Sequence, residues 1–146
     1  ATVQRLAAID NIVGIKDATG QLSRYTELML LVGSRLTVLA GDDATTFPLY
    51  AIGGHGVISV VSNIAPAKMA QMWDHAHAGR MQQAAALHLE LHTLMSLLFA
   101  ETSPAPVKAA LAHVGRLANE LRLPLVPATA ELTSKLAAEL ARLELR

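Results

Sequence analysis

Gly14-Ile15-Lys16-Asp17-Ala18-Thr19-Gly20 closes a short apolar run, Ile12 to Ile15, and sets one lysine where that run gives way to polar, glycine-punctuated residues. A run of this length ending in Gly, Asp and Thr reads as a buried parallel strand followed by a tight turn into a helix. Lys16 is then the last residue of the strand or the first past it. Burying an ammonium group is costly, so a desolvated lysine gives up its proton more readily. The neutral amine can then attack a carbonyl and form a Schiff base. The carboxyl ends of parallel strands are also where α/β proteins keep their chemistry. On position alone, a strand-end lysine that snorkels to water is the commoner explanation.

Outward from this stretch, the chain alternates. Thr2 to Ala8 has the pattern of a helix end, broken at Asp10-Asn11 before the strand Ile12–Lys16. The absence of an opening methionine or helix cap gives the expectation of a piece cut from something longer. Gln21 to Val32 carries Leu22, Tyr25, Leu28, Met29 and Val32 at helical spacing, and Gly33 stops it. Leu36 to Ala40 is a second apolar run, ended by Gly41-Asp42-Asp43, and a helix is predicted from about Ala44 through Ile52. Val57 to Val61 is the third predicted strand, followed by a helix from Ala65 to Gly79 with Pro66 suited to its first turn.

Such βα alternation implies a parallel sheet with right-handed crossovers. The runs are apolar throughout, as expected for strands covered on both faces. Parallel connection places Lys16, Gly41–Asp43 and Ser59–Asn63 on one rim. The predicted fold class is therefore α/β over residues 1–79, followed by an all-α region over residues 80–146.

In that second region, Met81, Ala84, Leu87, Leu91, Leu94 and Leu98 mark one face of a long helix. Ser103 is read as an N-cap with Pro104 in the first helical position. Leu123-Pro124-Leu125-Val126-Pro127 reads as an extended connection. Thr129 is placed to cap a last helix that turns Leu132, Leu136, Leu140 and Leu143 inward.

Composition narrows the function. The 146 residues balance 12 basic against 12 acidic side chains, and no basic cluster exists to neutralise phosphates, which argues against a nucleic-acid surface. Without cysteine there are neither disulfides nor thiolate metal sites, which fits a reducing compartment. No apolar run approaches the ~18 residues that span a bilayer, and no secretory signal pattern is visible, so a cytoplasmic setting is expected. Hydrophobic residues make up 52% and charged residues 16%, with a mean hydropathy of +0.36. That excess predicts apolar surface facing other protein, through oligomerisation or through partner surface that lies elsewhere.

Four segments carry a resemblance. Gly14 to Gly20, Gly41-Asp42-Asp43, His55-Gly56-Val57-Ile58-Ser59-Val60-Val61-Ser62-Asn63 and Ser103-Pro104-Ala105-Pro106-Val107-Lys108 occur in this order across nearly the whole chain. Read locally, Gly41 allows close backbone approach and an Asp caps the next helix. Together the four segments resemble the dihydrodipicolinate synthase / N-acetylneuraminate lyase family of pyruvate-dependent aldolases. Asp17-Ala18-Thr19 and Gly41-Asp42-Asp43 favour its dihydrodipicolinate synthase branch. Ser103 and Ala105 depart from the family's Asn-Pro-Ile-Pro-Val-Lys helix start.

The resemblance implies a Schiff-base lyase. Lys16 would be the covalent nucleophile toward pyruvate, and the resulting enamine would add to aspartate semialdehyde in lysine biosynthesis. Neither a metal nor an organic cofactor would be needed. The Ile58 main-chain carbonyl and Gly41 would line the substrate site. The implied fold is a (β/α)8 barrel with C-terminal helices, of ~250 residues and eight strands. The three strands here would be its sixth, seventh and eighth. The tyrosine relay, paired threonines and carboxylate-binding arginine of the family would all lie in the absent part.

A chain of this extent is expected to be inactive or nearly so alone, and to pair with copies of itself or with the missing barrel half. The alternatives are a non-catalytic assembly module and a sibling 2-keto-acid aldolase, such as N-acetylneuraminate lyase or 2-keto-3-deoxygluconate aldolase. His75 and His77, and the i, i+4 pair His88 and His92, raise a competing idea of zinc. No third ligand is aligned with them, so a structural or surface role is expected.

Overall fold

The structure, a computed structural model, describes residues 1–146. Helix α1 (Thr2–Ala7) leads through a turn into β1 (Gly14–Asp17). Helix α2 (Leu22–Val32) returns the chain to β2 (Thr37–Ala40). A 3-10 turn at Asp43–Thr45 and α3 (Thr46–Ala51) then lead to β3 (Gly56–Val57). Four helices follow: α4 (Pro66–His77), α5 (Met81–Leu98), α6 (Ala105–His113) and α7 (Ala130–Arg142). No helix is long and apolar enough to cross a membrane.

The three strands are parallel in the order β1-β2-β3. Register pairs Lys16 with Leu39 and Asp17 with Ala40, then Leu39 with Gly56 and Ala40 with Val57. All three carboxyl ends therefore share one rim, as the βα alternation predicts. The strands are covered on one face only. Val38, Ala40 and Asp17 are buried toward the helices, while Gly14, Lys16 and Thr37 are exposed on the other face. Continuous apolar runs suit strands with walls on both sides, and three strands cannot close on themselves to supply the second wall.

Several boundaries differ from the predicted ones. Asp17, not Lys16, ends β1. The predicted strand Val57–Val61 shrinks to Gly56–Val57. The Ile58 N–H still donates to the Ala40 carbonyl at 2.9 Å, but the Asp43 carboxylate captures the N–H groups of Val60 and Val61, and the chain turns away from the sheet. The predicted helix from Ala44 begins as the 3-10 turn. Helix α6 starts at Ala105, so Ser103 is not its cap, and Pro104 rather than Ser103 stands at that position. Residues 122–125 form a turn closed by Leu125 N–H to the Arg122 carbonyl at 3.1 Å rather than a fully extended connection. Thr129 does cap α7, its hydroxyl accepting from Leu132 N–H at 3.3 Å.

The larger of two apolar clusters holds 18 buried residues and joins α4 through α7. Leu91, Leu94, Met95 and Leu98 of α5 sit at its centre, each 2% exposed or less. The four leucines of the last helix, Leu132, Leu136, Leu140 and Leu143, all enter it. Trp73 of α4 lies half-buried at its border, edge-on to Tyr50 at 4.9 Å and stacked on His77 at 5.2 Å. Tyr50 and Trp73 line a cleft together with Gly56 and Val57, beside the unpaired edge of β3. The smaller cluster has 8 buried residues and seals α1, α2 and α3 to the covered face of the sheet.

Candidate active site at the rim of the sheet

Lys16 stands on the open face at the carboxyl end of β1, exposed to solvent. Gly41 follows β2 directly, and its N–H donates to the Asp17 carbonyl at 2.7 Å. A side chain at position 41 would have its Cβ 2.5 Å from Lys16 Cε and 2.6 Å from Ala18 Cβ. Only glycine lets the lysine stem lie across this loop. Ile58 follows β3 at the same end of the sheet and is 52% exposed. The structure thus brings Lys16 and Gly41 into contact and sets Ile58 two residues beyond Gly56, the residue in register with Leu39.

The loop after Lys16 is held from inside. The buried Asp17 carboxylate accepts from Thr19 N–H at 3.0 Å and from the Thr19 hydroxyl at 2.5 Å. Its other oxygen accepts from Arg24 Nε at 2.6 Å. Burial works to raise the Asp17 pKa, but the Thr19 hydrogen bonds and the Arg24 guanidinium outweigh it and hold the carboxyl below its usual range. Gly20 completes the turn at φ 69°, a left-handed conformation that suits glycine.

A second network ties the first rim loop to the next. The Tyr25 phenol, fully buried, donates to the Asp17 carbonyl at 3.1 Å and shares a 3.0 Å hydrogen bond with the Thr45 hydroxyl. Thr45 bonds in turn to Asp42 Oδ2, through its hydroxyl at 2.7 Å and its N–H at 3.0 Å. Burial raises the Tyr25 pKa, and the nearby Asp17 and Asp42 carboxylates add to this, so the phenol keeps its proton.

Gly41-Asp42-Asp43 therefore divides its work. Gly41 makes room for Lys16, Asp42 caps the 3-10 turn, and Asp43 reaches across to the loop after β3. The local pattern pointed to the first two tasks. Nothing local marks the third, nor the bridging role of Tyr25, whose helical spacing reads only as a core position. The histidines stand apart from this rim. His75 Nδ1 accepts from Arg80 Nε at 2.9 Å, His77 stacks on Trp73, and the rings of His88 and His92 lie 6.3 Å apart. No three His, Asp or Glu side chains converge on a point that could hold a metal ion.

A parallel βα sheet with a lysine on its carboxyl rim, followed by a helical region, defines the class: the C-terminal part of a (β/α)8 barrel with its appended helices. Comparison with known proteins agrees. The model of the dihydrodipicolinate synthetase family matches residues 1–143, and the chain belongs to that family. It is 49% identical over 135 residues to the 4-hydroxy-tetrahydrodipicolinate synthase of Syntrophus aciditrophicus, covering 92% of this chain and 46% of that protein. Among solved structures, dihydrodipicolinate synthase from Aquifex aeolicus superposes with a TM-score of 0.95 at 37% identity, covering 99% of this chain and 50% of the other. The Acinetobacter baumannii enzyme, complexed with pyruvate, gives 0.95 at 39% identity over the same shares, 99% and 50%. The chain spans about half the length of the relatives it matches, and corresponds to their C-terminal half.

Proposed function

We propose that this chain is the lysine-bearing part of a Schiff-base lyase that condenses pyruvate with aspartate semialdehyde on the route to lysine. The Lys16 amine adds to the C2 carbonyl of pyruvate, and loss of water leaves an imine. Loss of a methyl proton converts the imine to an enamine, whose carbon attacks the aldehyde of the second substrate. The amino group of that substrate then displaces Lys16 as the ring closes. Gly41 and the Ile58 carbonyl border the pyruvate.

The observation that carries this proposal is the contact between Lys16 and Gly41, a strand-end lysine laid across a loop that only glycine permits. A pyruvate-bound relative of the same fold supports the substrate. A cytoplasmic setting and pairing with the other half of a barrel belong to the same proposal. The unpaired outer edges of β1 and β3 support the pairing.

One observation favours a second reading, an idle assembly module. Lys16 is solvent-exposed, and none of the side-chain hydrogen bonds or ion pairs of the molecule engages its amine. Treatment with pyruvate and borohydride, followed by peptide mass spectrometry, separates the two. A pyruvate-sized adduct on Lys16, absent from Lys16→Arg and reduced in Gly41→Ala, is the expected result. A folded chain without that adduct would leave the assembly module standing.

A further inference from the structure

Asp43 is 1% exposed and has no cationic partner among the ion pairs of the molecule. Its Oδ2 accepts from Val60 N–H at 2.9 Å and from Val61 N–H at 3.1 Å. Its Oδ1 is buried without a hydrogen-bond partner. Burial raises its pKa, and the Ser59 hydroxyl and the N–H groups of Val61 and Val60 lower it by less. A carboxylate so placed is a poor choice for stability, since an uncompensated buried charge is expensive. Its position needs another explanation.

We infer that Asp43 is a positioning residue, which fixes the Ile58 main-chain carbonyl at the rim by clamping the chain immediately beyond it. Ile58 is anchored on its amino side by its own N–H, bonded to the Ala40 carbonyl at 2.9 Å. On its carboxyl side the next anchored groups are Val60 and Val61, both held by one oxygen of Asp43. Only Ser59 lies between, and its hydroxyl accepts from Ser62 N–H at 2.8 Å, closing the same turn. The peptides on either side of the one that carries the Ile58 carbonyl are thus both held, which limits how that carbonyl can turn. The downstream pin comes from the loop that also presents Gly41. A carboxylate suits this task because one oxygen accepts two N–H bonds, and charge strengthens each. The clamp rests on the proposed role of Ile58 only for its catalytic meaning. Its existence as a physical constraint is tested without substrate.

Amide hydrogen exchange by NMR, on the chain as it stands, reads the clamp directly. Asp43→Ala should speed exchange at Val60 and Val61 by about tenfold or more, with Ile58 following, as expected for loss of hydrogen bonds to a charged acceptor. Asp43→Asn keeps a carbonyl oxygen for both donors and should restore protection. If Asp43→Ala does not fold, as judged by circular dichroism, Asp43→Ser replaces it, being too short to reach either N–H. Wild-type exchange at Val60, Val61 and Ile58 in the folded Ala or Ser variant would overturn the inference.

Pyruvate–borohydride trapping on the same variants adds the link to chemistry, with the adduct on Lys16 falling in Asp43→Ala and rescued in Asp43→Asn. A wild-type chain that forms no adduct would remove the Schiff-base reading, and the exchange rates would still decide the clamp. A wild-type chain that forms the adduct, and forms it equally in the Ala variant, would overturn the positioning role.

Discussion

The two ends of this chain are built to different standards of closure. From α4 onward the helices share an 18-residue core, joined by Tyr50 of α3 and the chain just before α4, whereas α1 to α3 press an 8-residue core against one face of a sheet whose other face is open. The closed end carries no feature that points to chemistry. The open end carries the lysine, the glycine against it and the clamped loop. The candidate lysine thus stands beside the smaller of the two cores, with 8 buried residues against 18.

Paired truncations test the contrast most sharply. Leu91→Ala in α5 empties a site enclosed by other helices and should cost about 3–4 kcal/mol in denaturant unfolding. Leu36→Ala beside β2 faces a smaller, one-sided core that can relax toward the open side, and should cost nearer ~2 kcal/mol. Equal losses would break the comparison.

Arg24→Ala comes next. It leaves Asp17 buried with only Thr19 to hold it, and should cost about 2 kcal/mol near neutral pH. Because folding lowers the Asp17 pKa, the stability from this pairing is present above 3.8 and is lost as pH falls through the lower folded value. The penalty of Arg24→Ala should therefore shrink on acidification, which unfolding curves across that range would show.

The smallest effect belongs to the closed end. His88 Nδ1 is buried without a partner, and burial, with His92 nearby, lowers the His88 pKa below 6.5. A histidine with a lowered pKa withdraws stability as pH falls below its unfolded value, because the unfolded chain takes the proton first. His88→Met should flatten that acid limb slightly, while leaving stability above pH 6.5 nearly unchanged. An unchanged slope would mean that the imidazole is better solvated than its burial indicates.

Much of this architecture could be read from residue patterns alone. Short apolar runs ending in Gly, Asp or Thr, separated by helical stripes, were enough for three parallel strands with a common rim. The leucines of α7 announced their buried face through spacing, and Thr129 its cap through residue type. Their motifs mark Lys16 and Gly41 as candidates, and the structure brings the two into contact. What escaped was non-local. Val57 to Val61 has every local mark of a strand, yet it ends early because a carboxylate from another loop takes two of its N–H groups. The bridge from Asp17 through Tyr25 and Thr45 to Asp42 joins residues that no short window holds together. Helix α6 begins later than its Ser-Pro start suggests, at Ala105.

The molecule has a single tryptophan, and Trp73 sits between Tyr50 and His77 against the free margin of β3. Any strand added at that margin would displace water from the indole and turn its emission toward the blue, while a partner bound at the far side of the sheet would leave the colour unchanged. The chain thus contains its own optical gauge of whether anything binds at that edge.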